Sequence, residues 1–137
     1  MNKIQDTYPE KIVDGKVFVN VAKSKEILEK KGYRFIFYDD LDIQIAIFRV
    51  NGKLFCVNNI CPHRHQDRLF EGIINQDFTV TCPLHFWTYS LIDGKNINQK
   101  QGIRQLDVYS VFEEEGLVWV EKPKHQPPKW RIQNEKE

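Results

Sequence analysis

At 137 residues the chain suits one domain, large enough to bury roughly two thirds of the surface that its unfolded form exposes. Apolar residues make up 41% and aromatics 12%, enough for a packed core, and 20 basic residues against 19 acidic ones leave a net charge of +1, which excludes nucleic-acid binding through a basic excess. No apolar run approaches the roughly 20 residues that span a bilayer, and Met1-Asn2-Lys3-Ile4-Gln5-Asp6 lacks the apolar stretch of a secretory signal. The expectation is a soluble cytoplasmic protein with no membrane and no nucleic-acid partner.

In chain order, residues 1–15 are polar and turn-rich and read as a loose lead-in. Lys16 to Val21 alternates as a strand, with Val17, Val19 and Val21 on one face. Ser24 is a candidate N-cap for a short helix over Lys25–Lys31, with Ile27 and Leu28 inward and Gly32 ending it. Tyr33 to Tyr38 is aromatic and β-prone, and Asp39-Asp40 turns the chain. Ile43, Ile45 and Ile47 alternate. Asn51-Gly52 is a hairpin signal between Phe48-Arg49-Val50 and Leu54-Phe55-Cys56-Val57. Phe78–Thr81 and Trp87–Leu91 read as strands, with a turn at Asp93-Gly94. Leu106–Phe112 and Leu117–Glu121 form a last hairpin around Glu113 to Gly116. Residues 123–137 are rich in Pro, Lys and Gln and read as a polar tail with Trp130 as its anchor candidate. Many short strands and tight turns give an all-β fold class.

Between the fifties hairpin and the last one lies the chemistry. Cys61-Pro62-His63, then eighteen residues, then Cys82-Pro83-Leu84-His85, present two thiols and two imidazoles in the order Cys, His, Cys, His. Each loop thus offers one soft thiolate and one neutral imidazole, so two nearby metals can take different ligand pairs. The same set also suits a single structural zinc, since Cys₂His₂ sites exist, and a metal-free loop pair in an interaction module is a further alternative.

The two loops resemble the Rieske [2Fe–2S] family. The flanks agree as well: Arg64 after the first loop, Gly72 in the spacer, Phe86-Trp87 after the second, and Asp93-Gly94-Lys95 at the next turn. The resemblance covers at least residues 43–121. It implies that Cys61 and Cys82 bind one iron of a [2Fe–2S] cluster and that His63 and His85 bind the other. Around them it puts Pro62, Arg64, His65, Pro83, Leu84, Phe86, Trp87 and Tyr89 in the cluster environment. It also implies an antiparallel β-sandwich base built from both ends of the chain, with an inserted small cluster-binding subdomain at about 54–96. The domain reading is one Rieske domain over 1–122 followed by the tail.

Two assigned cysteines leave only Cys56, a candidate core residue, so the holo-protein has no intrachain disulfide. Rieske proteins of cytochrome bc complexes join their loops by a disulfide; the equivalent positions here are Gln66 and Leu84. The resemblance is therefore to the ferredoxin, oxygenase or nitrite-reductase branch, in keeping with a reducing compartment. Trp87 stands where the bc-type centres have a hydroxyl that raises their potential. The expected potential lies low in the range of about −150 to +300 mV. Only His65 and His125 remain for any mononuclear iron, which argues against an oxygenase catalytic subunit. The function implied is one-electron transfer as a ferredoxin or redox component, with redox protein partners and no catalytic turnover of its own. The small subunit of an NAD(P)H-dependent nitrite reductase is the alternative, suggested by the Cys82–Trp87 stretch.

Overall fold

The computed structural model describes residues 8–61, 66–84, 86–97 and 105–123. Eleven short strands are described: β1 Glu10–Val13, β2 Lys16–Lys23, β3 Tyr33–Ile36, β4 Gln44–Val50, β5 Lys53–Asn58, β6 Ile73–Asn75, β7 Thr79–Thr81, β8 Thr88–Ser90, β9 Val108–Tyr109, β10 Val111–Glu114 and β11 Leu117–Glu121. All pairings between them are antiparallel. They form three sheets of order β1-β2-β11-β10, β3-β4-β5-β9 and β6-β7-β8. The first joins both ends of the chain by pairing β2 with β11, across a register shift at Val118/Trp119. The all-β class and the sandwich base expected from the sequence are present.

The middle sheet faces two cores because β4 and β5 alternate. Ile45, Ile47 and Cys56 turn toward Val19, Val21, Val118 and Val120 of the first sheet. Ala46, Phe48, Val50, Phe55 and Val57 turn the other way, toward Leu69, Val80, Tyr89, Leu91 and both Cys61 and Cys82. Period-2 alternation on a strand buried on both faces thus separates a base core from a second core that holds the motif cysteines. The hairpin at Asn51-Gly52 has φ of 55° and 81°, the left-handed pair that a two-residue turn matched to strand twist requires.

Four expectations are corrected. The lead-in is not loose throughout: Asp14-Gly15 makes a second such turn, and Glu10–Val13 pairs with Lys16–Val19. The helix over Lys25–Lys31 is a single 3₁₀ turn, Ser24–Glu26, with Lys23 rather than Ser24 at its N-cap. Ile27 is buried there, but Leu28 is exposed. The segment is captured by β4 instead, since Glu29 bridges Arg49 and Lys30 N–H donates to the Arg49 carbonyl. The stretch from Tyr33 stops as a strand at Ile36 and turns at Phe37–Asp39. Finally, Leu106–Phe112 is two strands, because the chain changes sheets at Ser110: β9 pairs with β5, and β10 pairs with β11.

Candidate metal centre

Both motif cysteines sit at the base of closed loops. Cys61 N–H donates to the Gln66 carbonyl at 2.9 Å, and the two residues form an isolated bridge. Cys82 N–H donates to the Trp87 carbonyl at 2.8 Å, while Phe86 N–H donates back to the Cys82 carbonyl at 2.9 Å. Closing the second loop puts Phe86 in the left-handed region, at φ 60°, a strained conformation for a bulky residue. The strands below give rigid support. Thr81 and Thr88 face each other through their hydroxyls at 2.8 Å, and Asn75 Nδ2 donates to Thr79 and Thr81.

Cys61 and Cys82 are 1% and 2% exposed, and no disulfide joins any of the three cysteines. The hydroxyl of Tyr89, itself fully buried, lies 3.5 Å from Cys61 Sγ. Two thiols in one core, each starting a loop that carries a histidine, fit a site for two soft thiolate ligands with imidazoles supplied from the loops. His63 and His85 lie outside the described residues, as do Pro62, Arg64, His65, Trp130 and all of 124–137. Of the other expected neighbours, Tyr89 is in the core with both cysteines, Trp87 is half-buried against it, and Pro83 is half-buried. Leu84 and Phe86 point outward instead, at 37% and 66% exposure, so they flank the loop and do not wall the core. Cys56 lies on the opposite face of β5 in the base core, and burial pushes its thiol well up, so it stays protonated.

Sequence reading missed the fastening of the first loop. Asn59, 0% exposed, donates from Nδ2 to Gln44 Oε1 and to the Asp67 carbonyl, both at 2.9 Å, and its Oδ1 accepts from Phe70 N–H at 2.8 Å. Asp67 pairs with Arg34 at 3.2 Å and accepts from Gln44 Nε2. The only sequence signal was the Asn58-Asn59 pair, which reads as turn chemistry.

Comparison with known proteins agrees with this geometry. The Rieske [2Fe–2S] domain model matches residues 17–110. The ferredoxin subunit of 3-phenylpropionate/cinnamic acid dioxygenase from Shigella flexneri is 34% identical over 83 residues, 61% of this chain and 76% of that protein. The Escherichia coli K12 subunit of the same name shows the same identity and coverage. Among solved structures, the ferredoxin of carbazole 1,9a-dioxygenase from Nocardioides aromaticivorans superposes with a TM-score of 0.67 at 18% identity, covering 77% of this chain and 98% of that one. A protein assigned as an NADH-dependent nitrite reductase small subunit from Mycobacterium tuberculosis gives 0.69 at 20%, covering 80% and 98%.

The chain belongs to the Rieske [2Fe–2S] domain family. Its function is one-electron transfer through a Rieske-type cluster, as a ferredoxin or redox component of an oxidoreductase system, and the single-zinc reading falls away. No helix among the described residues is long and apolar enough to cross a membrane.

Proposed function

We propose that this chain is the ferredoxin component of a multi-protein oxygenase-type system, with Cys61 and Cys82 holding one iron and His63 and His85 the other. The observation that carries the reading is the burial of Cys61 and Cys82 in one core, beneath two closed loops that each bear a histidine in sequence. When bound, the cluster supplies a one-electron couple whose potential is raised relative to an all-thiolate centre, because neutral imidazoles leave less negative charge on it.

The chain's own residues do the rest. The second core excludes water from the thiolates, and Tyr89 offers a hydroxyl to Cys61 Sγ. Leu84 and Phe86, on either side of His85, give an exposed apolar rim for a redox protein partner. The relatives are named as dioxygenase ferredoxin subunits, and in a complex of oxygenase and ferredoxin in carbazole 1,9a-dioxygenase a longer chain is 27% identical to this one with a TM-score of 0.63, the match covering 83% of this chain and 30% of that one. By that analogy an oxygenase component is the acceptor and a reductase the donor. The domain reading is a Rieske unit over 1–122, with the cluster-binding part at about 54–96 and a tail over 123–137, and the compartment is the reducing cytoplasm.

A second reading, the small subunit of an NAD(P)H-dependent nitrite reductase, is favoured by the Cys82-Pro83-Leu84-His85-Phe86-Trp87 stretch and the Asp93-Gly94-Lys95 turn. Reduced protein mixed with an oxygenase component, or with a flavin- and sirohaem-bearing large subunit, separates the two by which one is reoxidised and bound.

The ligand assignment is tested on anaerobically purified protein. Two irons and two labile sulfides per chain, with a rhombic reduced EPR signal of low mean g, are expected. Cys61→Ser and Cys82→Ser should lose the signal, and His125→Ala should keep it. Zinc in place of iron, or a Cys82→Ser protein with native spectrum, would refute the assignment.

A further inference from the structure

We propose that Asn59 is the positioning residue of the first ligand loop, acting with Gln44 to hold that loop against the base. The inference rests on the assignment of Cys61 and His63 as ligands. Asn59 is two residues before Cys61, is fully buried and has both ends of its amide satisfied.

The partners are spread on both sides of the ligand loop. Before it, Asn59 N–H donates to the Gln44 carbonyl of β4 at 3.1 Å, and Nδ2 donates to Gln44 Oε1. After it, Nδ2 reaches the Asp67 carbonyl and Oδ1 accepts from Phe70 N–H. One side chain therefore ties the entry of the loop, at 59, to its exit, at 67–70, and both to the strand beneath. Gln44, 3% exposed, completes the set by donating to the Leu41 carbonyl at 2.7 Å and to Asp67 Oδ2 at 3.2 Å. Arg34 extends it to β3 through its ion pair with Asp67 and its place 5.0 Å over the Phe70 ring. A buried polar network in which each member has partners specifies one arrangement, and its partial loss leaves donors and acceptors stranded in a low dielectric.

The physical consequence concerns geometry at the metal, not fold alone. The Cys61–Gln66 bridge closes the loop at its neck, but a neck alone is free to tilt over the core. Asn59 and Gln44 remove that freedom. With them intact, Cys61 at the start of this loop is held at one place in the second core, beside Tyr89. Outer-shell partners of this kind tune metal retention and potential without being ligands.

The test uses the full chain loaded with its cluster. Asn59→Asp keeps the acceptor for Phe70 N–H and removes the Nδ2 donor to Gln44 Oε1 and the Asp67 carbonyl. Gln44→Met removes the same link from the far side and leaves the 59–70 segment unaltered in sequence. Three quantities are read: the EPR g values of the reduced protein, the rate of iron release to a chelator at 25 °C, and the unfolding midpoint of the metal-free form. The expected result in both variants is a shifted g tensor and iron release faster by about ten-fold, the equivalent of one buried hydrogen bond left unmade. If Asn59→Asp fails to fold, Gln44→Met decides by the same readouts. A lowered unfolding midpoint with native g values and native iron release would overturn the proposal and leave Asn59 a purely structural residue. Native protein that binds no [2Fe–2S] cluster would instead overturn the ligand assignment, and is recognised before any variant is made.

Discussion

The Tyr89 hydroxyl and Cys61 Sγ face each other at 3.5 Å in a place that water does not reach. A thiolate bound to iron has no proton, so the hydroxyl is then the donor. A hydrogen bond to a thiolate favours the more negative, reduced state, so its removal lowers the potential. Tyr89→Phe should lower the midpoint by about 40 mV, the one-electron equivalent of about 1 kcal/mol of differential hydrogen bonding. An EPR-monitored titration showing an unchanged or higher midpoint would contradict this. Cys56 gives the opposite case. It faces the base core, and burial holds its thiol neutral. Cys56→Ala should leave the spectrum and midpoint untouched and cost about 1–2 kcal/mol in denaturant unfolding, the lower end of a large-to-small core change. Any loss of cluster in that variant would mean that the thiol is in the ligand pool.

At the scale of the element, the close approach at Gly32 sets how the first ligand loop meets the base. A Cβ there would lie 1.9 Å from the Phe70 carbonyl oxygen and 2.9 Å from a Phe48 ring carbon. Phe70 N–H is the group that Asn59 accepts from, so the clash falls on backbone that the loop depends on. Gly32→Ala should therefore destabilise by about 1–3 kcal/mol, in the range of an overpacked core, and should speed cluster loss as well; a stable, spectrally native variant would show that the 3₁₀ turn at Leu69–Glu71 moves freely. This contact also shows where sequence reading stops. Gly32 was legible as a terminator, but what it approaches is nearly forty residues away and has no local signature. Asn51-Gly52 and the β4–β5 alternation were legible because turn chemistry and period-2 burial are local. The 25–31 segment misled because its propensity is helical, while the bonds that capture it come from Arg49, whose guanidinium donates to the Ile27 and Ser24 carbonyls. The motifs around Cys61 and Cys82 stand out in the sequence because metal-ligand sets use particular residue types at particular spacings, and the structure adds that both thiols are buried in one core. Asn59 was not, since any amide near a turn looks alike until its partners are placed.

At the scale of the whole molecule, two cores share one sheet, and the connections between sheets differ in kind. The outer connection is ionic. Arg49 of β4 reaches Glu113 of β10 with both terminal guanidinium nitrogens, at 2.9 and 3.0 Å. That hydrogen bond, aided by one from Ser24, holds the Glu113 carboxyl below the usual carboxylate range despite an opposing cost of desolvation. Because the folded value is depressed, the pair contributes stability above the unfolded value near 4.3 and loses it as pH falls through the folded value. Glu113 is one-third exposed, so screening keeps the contribution below about 1 kcal/mol. Glu113→Gln should be less stable than native protein at pH 7 and equal to it near pH 3; a gap that persists in acid would mean the residue acts by packing. The inner connection would be a metal group held by Cys61 and Cys82 in the second core. The base core is complete without it, since Val19, Val21, Ile45, Ile47, Val118 and Val120 close on one another across two four-stranded sheets. The second core has only a three-stranded sheet of three-residue strands over the far face of β4 and β5, and both thiols are part of it. Binding free energy at such a site is folding free energy, so removing the cluster withdraws it from one core and not the other. Hydrogen exchange on metal-free protein should show amides at 59–61, 66–84 and 86–97 opening early while those of β2, β4 and β11 keep most of their protection. If all strands lose protection together, the two cores form one cooperative unit, and the cluster holds up the entire fold.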